Sequence, residues 1–126
     1  MKQMTLIDTS IWIEYFRGKS AHTEFIEAGL NDGSVYITGP IISELLQGVK
    51  SEKEFDMLAS CVDAIPFLEC ETIDWMNTGK LSFNLRKKGI TVPITDSLIA
   101  VIASRYKMRI LTLDNHFKKI PDVKLV

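Results

Sequence analysis

Cysteine is scarce in this sequence, and so are the segments that carry a chain into or across a membrane. The 126 residues include two cysteines, Cys61 and Cys70, which match neither a disulfide framework nor a metal-binding pair. We expect both to be reduced and mostly buried thiols. No signal peptide is visible and no uncharged stretch approaches the length of a membrane span, so we expect a cytoplasmic protein.

The chain also lacks a charge excess of either sign. Its formal net charge is -1, so no basic field over the whole molecule attracts a polyanion, although a local patch can still hold a few phosphates. Hydrophobic residues make up 46% and charged residues 25%, which is ordinary for a globular chain. Repeats, linkers and low-complexity segments are absent. These features favour one domain over residues 1–126.

Short apolar segments alternate with helical patterns along the chain. Strands are predicted at residues 4–7, 35–38, 64–68 and 109–113, with a short last strand at 123–126, and Pro66 places the third at a sheet edge. Helices are predicted from a Thr9-Ser10 cap to Gly18, from a Thr95 cap within residues 93–104, and at residues 21–29, 41–49, 51–62 and 71–88. This alternation favours an α/β fold with a parallel, doubly wound sheet.

Four acidic residues lie where strands end or helices begin. Asp8 and Asp114 each follow a predicted strand, whereas Glu44 and Asp96 lie in the first turns of predicted helices. In a parallel α/β sheet, sites form outside the carboxyl ends of the strands. We therefore expect all four side chains to converge at one edge, although they are spread over nearly the whole chain.

Such convergence requires compensation. Two like charges about 4 Å apart repel by roughly 4 kcal/mol at an effective dielectric constant near 20. Either some of the acids stay protonated or a divalent cation lies among them. Hard oxygen ligands favour Mg²⁺, or Mn²⁺ as a substitute, over Zn²⁺, and a cation of this kind suits phosphoryl chemistry through a metal-activated water. The hydroxyls of Thr9, Ser10 and Thr95 could hold an acid or a water in place.

Four segments of the chain resemble those of the PIN-domain ribonucleases. They read LIDTSIWIEYF, ISELLQG, PITDSLIAVIA and ILTLDNHF, in the family's order and over essentially the entire chain. Within the family the sequence is most similar to the short VapC-type toxins of toxin–antitoxin pairs. The resemblance implies a three-layer α/β/α domain over residues 1–126, with a short, mostly parallel central sheet.

The resemblance also implies a site and an activity. Asp8, Glu44, Asp96 and Asp114 match the catalytic acids, with Asp8 and Asp96 binding metal and the other two binding it directly or through water. The implied activity is Mg²⁺-dependent endonucleolytic cleavage of RNA, with tRNA or other structured RNA loops as expected substrates. A homodimer and a cognate VapB-type antitoxin are the implied partners.

One position departs from the family pattern. Many relatives carry a further acid two residues after the fourth, where this chain has His116. We expect His116 to be a surface residue or a neighbour of the site rather than a ligand, and we expect one Mg²⁺. Possible RNA contacts are Arg17, Lys19 and Arg86, although the helix end that carries Arg86 is expected to point away from the acids.

Other interpretations remain open at this stage. Asp8 and Asp96 could be helix caps, a common use of aspartate. The whole chain could be a receiver-like phosphoacceptor domain, which also has an acidic Mg²⁺ pocket, but Asp8 is followed by Thr9 and no lysine follows Leu113. A catalytically silent acidic adaptor is a third possibility.

Overall fold

A computed structural model describes residues 3–126 of the chain, in which helices surround a short parallel sheet. The strands are β1 (Thr5–Ile7), β2 (Val35–Thr38), β3 (Phe67–Leu68) and β4 (Arg109–Leu111). The helices are α1 (Thr9–Phe16), α2 (Thr23–Asp32), α3 (Gly39–Gln47), α4 (Glu52–Asp63), α5 (Thr72–Lys87) and α6 (Ile94–Arg105), and a 3-10 helix covers Asn115–Lys119.

The sheet has the strand order β3-β2-β1-β4, and all of its pairings are parallel. Parallel neighbours need crossover connections, and the right-handed crossovers that proteins use place helices over both faces of the sheet. The predicted α/β architecture with a mostly parallel central sheet is therefore confirmed. The segment that contains Pro66 forms the edge strand β3, as predicted.

The predicted last strand does not form. Residues 123–126 make one isolated bridge, in which Leu125 pairs with Ile110 of β4. Pro121 and Asp122, which has a positive φ of 65°, turn the chain immediately before this segment.

Two predicted helix caps are wrong. Asp8, in extended backbone conformation, is the N-cap of α1, and its carbonyl accepts hydrogen bonds from the N–H groups of Ile11 and Trp12. Helix α6 begins at Ile94, directly after Pro93, so Thr95 lies inside its first turn. Helix α1 starts one residue earlier than a Thr9 cap would give, and α6 starts two residues earlier than a Thr95 cap would give. The acids at positions 8 and 96 therefore sit at the very start of their helices.

One hydrophobic core joins the sheet to buried residues of all six helices, and α6 is buried almost all round as its apolar sequence predicts. The prediction for the cysteines is wrong, because Cys61 is exposed and Cys70 is half-buried. Helix α4 turns its neighbouring residue Val62 to the core, so Cys61 faces outward. No helix in residues 3–126 is long and apolar enough to cross a membrane.

A buried ion pair fixes α5 against α6. The side chain of Asp74, on α5, is fully buried and accepts hydrogen bonds from Nε and Nη2 of Arg105 at 2.7 and 2.8 Å. A third bond comes from the backbone N–H of Glu71 at 2.8 Å, which completes a capping box at the start of α5. These bonds, those from Arg105 first, lower the pKa of Asp74 below its usual value. The pair holds the end of α6 that lies opposite Asp96.

We predict that Asp74→Ala destabilises the protein by about 2–3 kcal/mol at pH 7, because it removes three hydrogen bonds to a buried, charged acceptor. Since folding lowers this pKa, the contribution is complete above the unfolded value of 3.8 and is lost as the pH falls below it. Urea unfolding at several pH values measures both effects. Asp56→Ala, at an exposed position of α4, is the control. A loss as small as that of the control would contradict the structural role of Asp74.

Candidate active site

The ends of β1 and β4 bring two of the predicted acids side by side. The backbone N–H of Asp8 donates to the carbonyl of Leu111 at 2.9 Å, so the chain leaves both strands at the same edge. Asp114 follows β4 by three residues and caps the 3-10 helix with its side chain, which accepts from the N–H of His116 at 2.9 Å. Asp8 is almost completely buried and Asp114 is one-third exposed.

Hydroxyl groups orient the Asp8 carboxylate. Thr112 donates to Oδ2 of Asp8 at 2.7 Å, and Ser10 donates to the same oxygen at 3.4 Å. The Thr112 hydroxyl also accepts the N–H of Asp114 at 2.9 Å, so this single side chain links the two acids. Since the side chain of Asp8 makes no capping hydrogen bond to α1, capping does not account for its position.

Glu44 reaches the same edge from α3. The hydroxyl of Thr9 donates to Oε1 of Glu44 at 3.3 Å, which places this carboxylate next to the residue that follows Asp8. Burial, then the charge of Asp8, raises the pKa of Glu44 above its usual value, and Asp114 adds to the effect. Glu44 therefore lies within electrostatic reach of both strand-end acids.

Asp96 meets Asp114 and His116 at the start of α6. Nδ1 of His116 lies 2.9 Å from Oδ1 of Asp114 and 3.3 Å from Oδ2 of Asp96. His116 is thus in contact with two of the acids, and the possibility that it is only a surface residue is excluded. All four predicted acids converge at one edge of the sheet, as their positions in the sequence indicate.

Burial and the close approach of these acids shift their pKa values. Burial raises the pKa of Asp8, and the charge of Asp114 adds to this, against the hydrogen bonds from Thr112, Ser10 and the Thr9 N–H. Burial and the adjacent Asp114 carboxyl raise the pKa of Asp96 to about 7. Burial acts in the same direction on Asp114, but its contacts with His116 and Asp96 outweigh it and lower that pKa. Of these two neighbouring carboxyls, Asp96 therefore binds a proton more readily than Asp114.

These donors fit a divalent cation. Oδ2 of Asp96 and Nδ1 of His116 are inaccessible to solvent, and neither has a hydrogen-bond partner among residues 3–126. One ligand atom from each of Asp96, Asp114 and His116 lies within 4.8 Å of the other two. Carboxylate oxygens are the preferred ligands of hard dications. Asp8 and Glu44 flank this group without belonging to it.

The remaining predicted residues lie at different distances from the acids. Ser10 contacts Asp8 and also accepts the N–H of Leu113 at 3.1 Å, whereas Thr95 is half-buried on the first turn of α6. Arg17 is exposed and borders, together with Glu44, a cavity of about 190 Å³. Lys19 is exposed beyond the end of α1.

Arg86 lies near the start of α6. It lines an open groove together with Ile94, the first residue of α6. Helix α5 runs antiparallel to α6, so its last turn lies near the end of α6 that carries Asp96. None of the four acids lines this groove, so the direction of Arg86 relative to them stays a prediction.

Sequence reasoning missed two functional candidates. Thr112 carries no motif of its own, and its role depends on the register of β4 against β1. His116 was expected beside the site, but its contact with two carboxylates depends on the 3-10 turn after Asp114, which was not predicted. The only signal in the sequence is that both residues lie within two positions of Asp114.

Comparison with known proteins finds a matching family model and relatives that cover most of the chain. The model of the PIN domain family matches residues 5–123. Ribonuclease VapC11 of Mycobacterium tuberculosis is 35% identical over 123 residues, which cover 93% of this chain and 91% of that protein. Ribonuclease VapC of Rickettsia bellii is 31% identical over 130 residues, covering 96% and 93% of the two chains.

The fold also matches solved structures. A chain of DNA-bound VapBC from Salmonella typhimurium superposes with a TM-score of 0.85 at 22% identity, covering 99% of this chain and 98% of that chain. A chain of VapBC2 from Rickettsia felis, bound to a DNA fragment from its promoter, gives a TM-score of 0.84 at 19% identity with 98% of both chains covered. At these identities the likeness establishes the shared fold.

We predict that Asp96→Asn removes part of the pH dependence of stability in EDTA. The pKa of Asp96 is about 7 in the folded protein and 3.8 unfolded, so the folded state holds the extra proton between these values. Stability therefore falls as the pH rises through this interval, by at most about 1.4 kcal/mol per pH unit. Urea unfolding at pH 5 and 7.5 measures the loss, with Asp63→Asn as an exposed control. An equal loss in Asp96→Asn and wild type would refute the prediction.

Proposed function

This chain belongs to the PIN-domain family, and from that premise we propose that it is a divalent-metal-dependent endoribonuclease and the toxin of a toxin–antitoxin pair. The observation that carries the proposal is the convergence of Asp8, Glu44, Asp96 and Asp114 at one sheet edge. Its curated relatives are named as VapC ribonucleases. The proposal takes residues 1–126 as one catalytic domain.

Each acid has a proposed role. Asp8 and Asp96 hold the cation, and Glu44 and Asp114 complete the pocket directly or through water, with Mg²⁺ as the expected ion. A bound dication supplies Lewis-acid polarisation of the phosphodiester and hydroxide near neutral pH. Thr112 and Ser10 fix the Asp8 carboxylate, and Thr9 fixes that of Glu44, so the ligands are oriented before substrate arrives.

Positive groups around the acids suit an RNA backbone. Helices α1, α3 and α6 begin near this edge, and the free N–H groups in the first turn of a helix favour the binding of phosphate. Arg17 and Arg86 lie on grooves that lead to Glu44 and to α6, and Lys19 is exposed nearby in sequence. Side chains read unpaired bases more readily than duplex RNA, so structured loops such as those of tRNA are the proposed targets.

The proposed partners follow from the same family. Several of its structural neighbours are toxin–antitoxin complexes, which supports a VapB-type antitoxin for this chain, and a homodimer is proposed with it. An acidic pocket without metal attracts a cation, so an inhibitory antitoxin segment is expected to place Arg or Lys among the four carboxylates. A cytoplasmic location is proposed as well, because the proposed RNA substrate and antitoxin would be met there.

We predict that Asp8→Asn lowers the rate of RNA cleavage at least about 100-fold, because it removes a charged ligand while the amide retains nearly the same shape. The fold should persist, since an amide oxygen can still accept the Thr112 hydroxyl. A nuclease assay in Mg²⁺ and in Mn²⁺, together with circular dichroism, measures both properties. The exposed Asp56→Asn is the matched control.

Two results would contradict the proposal. Cleavage by Asp8→Asn at the wild-type rate would exclude the catalytic assignment of Asp8. If wild-type protein cut no RNA in either metal, the silent adaptor would be favoured instead. Uptake of phosphate from acetyl phosphate would indicate the receiver-like alternative, which no observation in the structure favours.

A further inference from the structure

The position of His116 suggests a role beyond that of a neighbour. Its ring is partly exposed, yet Nδ1 is inaccessible to solvent and faces Oδ1 of Asp114 and Oδ2 of Asp96. Asp96 is more than nine-tenths buried, and its Oδ2 has no hydrogen-bond partner among residues 3–126. Two buried polar atoms from different elements thus face each other without forming a hydrogen bond.

We propose that Nδ1 of His116 is a direct metal ligand, which joins Asp96 and Asp114 in a mixed nitrogen and oxygen site that favours Mn²⁺ over Mg²⁺. The inference rests on the proposed function, because it specifies the cation of the same site. It differs from the expectation of an all-oxygen Mg²⁺ site, and it concerns the position at which this chain has an imidazole in place of an acid.

The distances fit neighbouring ligands on one ion. In an octahedron with metal–ligand bonds of about 2.1–2.2 Å, adjacent ligand atoms lie about 3.0–3.1 Å apart. Nδ1 of His116 lies 2.9 Å from Oδ1 of Asp114 and 3.3 Å from Oδ2 of Asp96, and these two distances bracket the spacing of adjacent ligand atoms. The three side chains need little movement to accept a cation between them.

The orientation of the ring argues against a simple ion pair. A protonated imidazole at 2.9 Å from a carboxylate would ordinarily point its N–H at the oxygen. Nδ1 of His116 makes no hydrogen bond to either acid in spite of these short distances. The ring nitrogen therefore lies close to both oxygens without a hydrogen bond to either, which leaves it available to a shared ion.

The selectivity follows from the ligand chemistry. Mg²⁺ strongly prefers oxygen ligands and keeps several waters, whereas imidazole suits the transition metals. Mn²⁺ is a transition metal that binds carboxylate oxygen as Mg²⁺ does and also accepts an imidazole nitrogen. It binds such sites more weakly than the later transition metals do. Replacing one carboxylate by imidazole therefore weakens Mg²⁺ more than it weakens Mn²⁺.

Calorimetric titration of the full chain with Mn²⁺ and Mg²⁺ separately tests the selectivity. We expect the ratio of the two dissociation constants, Mg²⁺ over Mn²⁺, to fall at least tenfold in His116→Asp, which restores an all-oxygen set. His116→Gln, which removes the imidazole and keeps a similar volume, should weaken Mn²⁺ at least tenfold. His22→Gln is the matched control, since His22 is the other of the two histidines and caps α2.

Pulsed electron paramagnetic resonance of the Mn²⁺-loaded protein tests the bond itself. A hyperfine coupling from imidazole nitrogen should appear in wild type and His22→Gln and be lost in His116→Asp. If Mn²⁺ binds with no nitrogen coupling, or if the selectivity ratio is unchanged in His116→Asp, this inference is overturned while the proposed nuclease activity stands. If neither cation binds the wild-type protein, the inference and the proposed metal dependence both fail.

Discussion

Mutual repulsion among carboxylates at one edge of the sheet is the constraint around which this structure is organised. Burial raises the pKa of Asp8, Glu44 and Asp96, and the charges of neighbouring acids at this edge raise it further. The protein meets part of this cost locally, with hydroxyl donors to Asp8 and Glu44 and a raised pKa that favours the neutral form of Asp96. What remains is a concentration of negative charge that a small dication relieves better than any side chain in contact with it.

The rest of the fold determines where that charge lies. The parallel pairing of β1 with β4 places the residues after both strands side by side, and α3, which follows β2, adds Glu44 as a third acid. Asp96, in the first turn of the buried helix α6, is the fourth acid. The Asp74–Arg105 pair anchors the opposite end of this helix to α5. Stability and function are therefore linked: the contacts that fix α6 also fix Asp96.

Much of this arrangement was predictable from the sequence, because strand-end positions in a parallel sheet determine an edge without further detail. The convergence of the acids follows from that rule, whereas the edge position of the Pro66 segment follows from the N–H group that proline lacks. Side-chain contacts after β4 were not predictable, since they depend on strand register for Thr112 and on a short 3-10 turn for His116. The exposure of Cys61 was missed because α4 has a narrow buried face on which the adjacent residue lies.

The central claim is that the fold holds the four acids close together and that a bound divalent cation stabilises this arrangement. The most direct measurement is the thermal unfolding midpoint of the wild-type protein in EDTA and in saturating Mg²⁺ or Mn²⁺, at matched ionic strength. Binding at about 100 times the dissociation constant adds about 2.7 kcal/mol, which corresponds to a rise of about 10 °C for a chain of this size. A midpoint that is the same with and without the dication would contradict the account.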